Sequence, residues 1–323
     1  MILSINNTTS GFYREAPSSV PARSRLPLLL ILTGLLLATA GLAAACGGKG
    51  EEKPPKAGPR VVTSIELFAD LIRQVAGERA QVTALVPAGA DPHTYEPVPS
   101  KVVAISEADL VLINGLGFEE TLLNVIKNNV RGGVPIIEMS AGPPVLEAGN
   151  QGTGNPHLWL NVRYAMHYVE VARDALIQVD PAGEAEYGAN AQAYLAELED
   201  LDGQVGQSIA SIPAERRKLI VYHDAFPYLA ERYGLEMVAA VVRSPGQEPS
   251  AAKVADLTKQ IRTANVPAVF KEPQLSARVL ELAAKDAGVE VCTLYSDAFQ
   301  GEVDSYVKLM QFDASELVRC LGR

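Results

Sequence analysis

Residues 180–213 read DPAGEAEYGANAQAYLAELEDLDGQVGQSIASIP, and this stretch decides the architecture. Tyr187, Ala191, Tyr194, Leu198, Leu201, Val205 and Ile209 recur at steps of four or three, which draws one apolar stripe along an α-helix. Asp180 is placed as an N-cap, with Pro181 at the first helical position where its missing N–H costs nothing. Pro213 ends the pattern. About 30 residues of helix rise about 45 Å at 1.5 Å per residue. That is more than a crossover between neighbouring strands needs, and enough to run the height of two lobes.

On both sides of this helix, short apolar runs alternate with amphipathic stretches. Before it, residues 61–63, 81–86, 110–113 and 134–137 read as strands. Residues 65–76, 100–107 and 119–128 read as helices, with Ser100 as the N-cap of the second. The unbroken run Leu110-Val111-Leu112-Ile113 is that of a strand buried on both faces of a parallel sheet. After it, strands fall at 219–222, 237–242, 268–270 and 290–294, and helices at 227–233, 251–264, 277–287 and 305–321. Such alternation implies parallel sheets covered by helices. The expected fold is α/β with two lobes, each a mainly parallel sheet flanked by helices. The N-terminal lobe covers 61–179, the connecting helix 180–212 and the C-terminal lobe 213–323, with the ligand cleft between the lobes.

The N-terminus reads differently. Arg14, Arg23 and Arg25 precede an uncharged apolar run, residues 26–45, that ends in Ala43-Ala44-Ala45 before Cys46. Basic flank, apolar core and small-residue end are those of a secretory signal over residues 1–45. Cys46 resembles a bacterial lipidation site, although Ala43 stands where leucine is usual. A plainly cleaved signal and an uncleaved anchor are the other readings, since the run is about as long as a membrane span. Residues 46–60, rich in Pro, Gly, Lys and Glu, read as a tether. Removing residues 1–45 takes out three of the 28 basic residues and one of the 38 acidic ones, leaving a formal charge of −12. That balance argues against nucleic acid as a partner. Cys292 and Cys320 are the remaining cysteines. For an exported chain a disulfide between them is one reading, and two unpaired thiols the other.

The chain has four histidines. Two follow the same kind of tight turn, in Asp91-Pro92-His93 and Asn155-Pro156-His157. His223 directly follows the apolar run Leu219-Ile220-Val221-Tyr222, and Asp297 follows the strand at 290–294. These four therefore sit past the carboxyl ends of strands, two from each half, where open α/β sheets bind ligands. The prolines before His93 and His157 fix the local backbone and reduce the freedom of each imidazole. Three imidazoles and a carboxylate suit Zn²⁺ and are usable by Mn²⁺. His167, in Ala165-Met166-His167-Tyr168, is read as an ordinary residue on a helix face, while Asp224 and Glu272 are rival carboxylates.

Five segments carry a resemblance to a known family. They are Asp91-Pro92-His93-Thr94-Tyr95-Glu96-Pro97, Asn155-Pro156-His157-Leu158-Trp159-Leu160, His223-Asp224-Ala225-Phe226-Pro227-Tyr228-Leu229, Phe270-Lys271-Glu272-Pro273-Gln274-Leu275-Ser276 and Leu294-Tyr295-Ser296-Asp297. In this order, from about Val61 to Leu321, the chain resembles the zinc- and manganese-binding lipoproteins of ABC importers. The resemblance implies two α/β lobes joined by a rigid helix, with His93 and His157 as ligands from the first lobe and His223 and Asp297 from the second. It implies a monomeric, membrane-anchored extracytoplasmic protein that delivers a divalent metal to an ABC permease. In this family glutamate at the position of His223 goes with manganese, and histidine there with zinc in many members. The His- and acid-rich loop of many zinc-specific members has no counterpart in residues 140–154, whose one charge is Glu147. Ligand chemistry still favours zinc, because three nitrogens and one carboxylate close a tetrahedron while Mn²⁺ takes more oxygen. A zinc hydrolase is a rival, but the chain lacks HExxH, and four protein ligands leave no open position. A haem or siderophore carrier is another, but there is one tryptophan, Trp159, and no Arg cluster at the strand ends. A role in cell adhesion is compatible with a surface lipoprotein, though no residue argues for it.

Overall fold

The computed structural model describes residues 58–146, 154–243, 245–246 and 251–322. The proposed signal over 1–45 and the lipidation site Cys46 lie outside these residues. So do the first part of the tether and Glu147.

The first sheet has four parallel strands, β1 (Arg60–Ile65), β2 (Gln81–Val86), β3 (Leu110–Ile113) and β4 (Ile136–Glu138), in the order β2-β1-β3-β4. The second is built alike, from β5 (Lys218–His223), β6 (Glu236–Val242), β7 (Ala268–Lys271) and β8 (Glu290–Thr293), in the order β6-β5-β7-β8. In each, the chain first steps one way and then crosses back, leaving a switch point between the two central strands. This is the fold class expected from the alternation of apolar runs. Arg60, assigned by composition to the tether, pairs with Gln81 as the first residue of β1.

Helices α1 (Glu66–Ala76), α2 (Pro99–Glu107), α3 (Glu120–Asn129) and α4 (Val162–Val179) belong to the first half. The long helix is α5 (Glu184–Ala210), and α6 (Pro227–Tyr233), α7 (Ala251–Ala264), α8 (Arg278–Ala287) and α9 (Tyr306–Leu321) follow. Two helix starts differ from expectation. Ser100 lies inside α2, because Pro99 takes the first helical position after Val98. Residues Pro181–Gly183 form a 3₁₀ turn, so α5 is 27 residues long, or about 40 Å. The Asp180 carboxylate there accepts from Arg79 Nε (2.6 Å) and the Tyr187 hydroxyl (2.9 Å). A Cβ at Gly183 would stand 2.3 Å from Arg79 Nε, so this contact requires glycine. Helix α4 escaped the periodicity reading apart from the placement of His167. Its buried face is Val162, Ala165, Tyr168, Val169, Ala172, Ala175 and Leu176, which recur at helical spacing.

The stripe on α5 is buried at every position read from the sequence, and one charged residue joins it, Asp202. This carboxylate is 3% exposed. It accepts from Arg163 Nε of α4 (2.8 Å), and from Arg232 Nε (3.0 Å) and the Tyr233 hydroxyl (3.0 Å) of α6. Burial pushes its carboxyl up, but Arg232, Tyr233 and Arg163 outweigh that and hold it below the usual Asp range. A buried carboxylate needs such partners to offset its desolvation. Here they fasten helices from both halves to the long one. The apolar core is likewise shared: residues of both sheets pack into one cluster, with a smaller one beneath α7 and α8. Helix α9 packs on α5, and its Tyr306 N–H donates to Asp70 of α1 (2.7 Å). A disulfide joins Cys292 of β8 to Cys320 of α9.

Candidate metal centre

Each of the four residues singled out in the sequence reaches one point between the two halves. One ligand atom from each of His93, His157, His223 and Asp297 lies within 4.8 Å of the others. The approaches to the carboxylate are His93 Nε2 to Asp297 Oδ2 at 3.4 Å, His157 Nε2 to Oδ1 at 3.5 Å and His223 Nδ1 to Oδ2 at 3.8 Å. The rings of His157 and His223 are 4.7 Å apart. His167 is elsewhere, its Nε2 beside the carbonyl of Ala141. Asp224 lines the cleft outside the cluster.

Local sequence explains each placement. At His93 the Asp91 side chain takes the His93 N–H on Oδ1 (3.0 Å) and the Thr94 hydroxyl on Oδ2 (2.9 Å). At His157 the Asn155 Oδ1 takes the backbone N–H (3.0 Å) and the ring Nδ1 (2.8 Å), while Asn155 Nδ2 donates to the carbonyl of Asp224 (2.7 Å). Both turns are thus closed by the residue two before the histidine, which the proline-based reading overlooked. The choice of acid or amide follows from the bonds: Asp91 receives two donors, whereas Asn155 must also donate. His223 is the last residue of β5 rather than the first past it. Val221 pairs with Phe270, and that register carries His223 alongside Glu272. Its Nδ1 meets Glu272 Oε1 at 3.1 Å. Both carboxylate oxygens of Asp297 approach the imidazoles, and burial leaves the residue 1% exposed.

These contacts dictate which ring atom is free. Asn155 Oδ1 and an ionised Glu272 can only accept, so with Glu272 ionised His157 and His223 carry a proton on Nδ1 and turn Nε2 to the ligand. Nε2 of His93, His157 and His223 and both oxygens of Asp297 are buried without a hydrogen-bond partner. Buried polar atoms are almost always paired. Five orphans facing one another are the signature of a cation site. Four ligands about 2.0–2.1 Å from a zinc ion would lie about 3.4 Å apart, which is near the 3.4 and 3.5 Å approaches of His93 and His157 to Asp297.

Electrostatics agree. Burial holds the His157 imidazole well below the usual range, aided by the two neighbouring histidines and opposed by Asp297. Burial also lowers His223, but the bond to Glu272 and the charge of Asp297 outweigh it and raise this ring. For Asp297 burial acts upward, yet His157, His93 and His223 prevail and keep the carboxyl well below its ordinary value. Glu272 is pushed up by burial, only partly offset by His223. A cleft of about 540 Å³ leads to His93 and His157. Glu120, Glu138 and Asp224 line it against Arg243, a balance that favours cations, while burial pushes the Glu119 carboxyl there up to about 7.

Comparison with known proteins places these features in a family. Residues 61–320 match the family model described as zinc-uptake complex component A, periplasmic (ZnuA). The chain is 32% identical over 295 residues to the manganese-binding lipoprotein MntA of Halalkalibacterium halodurans, covering 90% of this chain and 97% of that protein. It is 32% identical over 274 residues to the iron-binding protein YfeA of Yersinia pestis, covering 82% and 86%. The solved periplasmic zinc-binding protein TroA from Treponema pallidum superposes with a TM-score of 0.76 at 29% identity, over 82% of this chain and all of that one. With the matched model spanning both sheets, the long helix and all four clustered residues, the chain belongs to the family of zinc-uptake complex component A periplasmic proteins.

Proposed function

We propose that the protein captures a divalent transition metal outside the cytoplasm and delivers it to an ABC permease, with His93, His157, His223 and Asp297 as the ligands. The observation that carries this reading is the set of five buried, unpartnered atoms converging from both halves. Lipidation at Cys46 after removal of residues 1–45 is part of the proposal, supported by a relative described as a lipoprotein. So are the lobe limits 61–179 and 213–323, and action as a monomer. The protein acts as a carrier rather than a catalyst, because four protein ligands leave no open position for a reacting water. Zinc is the favoured cargo on the three-nitrogen, one-carboxylate set. Manganese is the second reading, favoured by the similarity to a manganese-binding lipoprotein.

Calorimetric titration of metal-free protein with Zn²⁺ and with Mn²⁺ tests both parts. One equivalent of zinc should bind, at least about 100-fold tighter than manganese, as expected from the divalent-metal affinity order at nitrogen-rich sites. Tighter manganese binding would reverse the choice of metal, and binding of neither ion would sink the reading. Affinity should also fall with acidity. His157, held low, is already neutral at neutral pH, and Asp297, held low, stays ionised. His223 is raised, so protons compete with the metal there from above the ordinary histidine value of about 6.5 downward. The expected loss is roughly tenfold per pH unit for each proton displaced, read by chelator competition between pH 7.5 and 5.5. An unchanged affinity over that interval would contradict the ligand set.

A further inference from the structure

The four clustered residues are not held alike. His157 is flanked, two residues on either side, by donors that cross to the other half. Asn155 Nδ2 donates to the carbonyl of Asp224, next to His223 (2.7 Å), and Trp159 Nε1 donates to the carbonyl of Ser296, next to Asp297 (2.9 Å). The Trp159 carbonyl is in turn held by the Tyr306 hydroxyl (2.7 Å), and the Asn155 carbonyl by the Tyr228 hydroxyl (2.8 Å). All four bonds are buried or partly buried, and each joins positions at least 69 residues apart in the chain. Trp159 itself is fully buried.

His93 has nothing comparable. Among the described residues, the hydrogen bonds of its turn are internal to it, those of Asp91 with the His93 N–H and the Thr94 hydroxyl, and Ala90 N–H to the carbonyl of Pro87. Apart from the approach of His93 to Asp297, the turn comes near the other half at Gly246, where an added Cβ would stand 3.3 Å from the Thr94 methyl. The His93 side chain is 13% exposed, against 2%, 0% and 1% for His157, His223 and Asp297. His93 and His157 both border the cleft, and of the two His93 is the more exposed.

On the reading of the site as a metal carrier's, we infer that Asn155 and Trp159 are positioning residues. They pre-assemble His157, His223 and Asp297 into a three-ligand cradle across the two halves, and His93 is the ligand that closes last and leaves first. Parting the halves would break two buried cross-bonds beside the ligands at once, and each leaves a buried donor and acceptor unmade. Swinging the 91–94 turn outward breaks none of them. The metal therefore passes through the opening that His93 vacates, and the stiffness of the Asp91-closed turn sets its rate.

Stopped-flow measurement of zinc association and of chelator-driven dissociation, on wild type, D91A and W159F, tests this. D91A frees the turn and leaves the cradle intact, so both rates should rise together, by about tenfold or more, with affinity changed less than either rate. W159F keeps an aromatic ring and removes the donor to Ser296. It should raise dissociation by roughly 10–100-fold, the range typical of lost partners around a metal site, and leave association within about twofold. The Co²⁺-loaded W159F protein should also show an altered d–d spectrum, which loss of stability alone does not produce. Y306F, which removes only the hydroxyl on the Trp159 carbonyl, should repeat the dissociation effect if W159F folds poorly. D91A rates equal to wild type, or W159F accelerating both steps alike, would overturn the inference while leaving the carrier reading intact. Failure of wild type to bind zinc would remove the reading on which it rests.

Discussion

His157→Ala should weaken zinc binding by more than about 100-fold, which is above the 10–100-fold cost of losing a group that merely supports a ligand. The residue is 2% exposed, its Nε2 is unpartnered, and it stands 3.5 Å from Asp297. Alanine removes one of three nitrogens and opens a gap beside Trp159, whose ring centroid lies 5.2 Å from that of the imidazole. It also deprives Asn155 Oδ1 of the ring N–H, although the backbone N–H remains. His167→Ala is the natural control, since that ring lies outside the cluster against the Ala141 carbonyl. Competition titration against a chromophoric chelator reads both variants. Equal affinity in His157→Ala and wild type would remove His157 from the site, and equal losses in the two variants would mean that histidine number rather than placement matters.

Removing the Cys292–Cys320 disulfide, as C292A/C320A, should cost about 3–4 kcal/mol. The bridge closes a separation of 28 residues, and a loop of that size in the unfolded chain carries about that much entropy in the chain-entropy model. At roughly 2–4 °C per kcal/mol for a domain of this size, the midpoint of thermal unfolding should fall by about 10 °C. Both cysteines are buried, and the bond ties the end of α9 to the strand that leads into Asp297. Differential scanning calorimetry of the double variant checks this, and a shift under about 2 °C would show that the bond does not constrain the unfolded chain as supposed. The observed bond resolves in the structure the alternative that composition left open between a bridge and two thiols.

Much of the fold was legible because its signals are local. The stripe from Tyr187 to Ile209 is a matter of spacing along one helix, and all seven of its positions are buried. The runs at 81–86 and 110–113 coincide with β2 and β3. What escaped, α4 apart, was wherever partners are distant. α4 buries Val162, Ala165, Val169, Ala172 and Leu176 at helical spacing, a period present in the sequence that the reading passed over. Asp202 interrupts an apolar stripe, and its burial makes sense only once Arg163 and Arg232 are brought to it from 39 and 30 residues away. The edge strand at 134–137 shifts to Ile136–Glu138 and has only β3 as a neighbour.

At the site, the sequence by itself singled out the candidate ligands and their positions at the strand ends, because histidine is scarce and each candidate follows a recognisable turn or apolar run. Repetition of Asx-Pro-His even contained the signal for the Asp91 and Asn155 turns, since a short acceptor two residues before a backbone N–H closes such a turn on its own. Only the tertiary structure decided which nitrogen of each ring is free, that Glu272 supports His223 while Asp224 faces the cleft, and that His157 is braced across the halves while His93 is not. Those properties depend on hydrogen bonds between residues 49 to 137 positions apart, and on burial that strips water from every competing donor. Spacing along a chain carries neither.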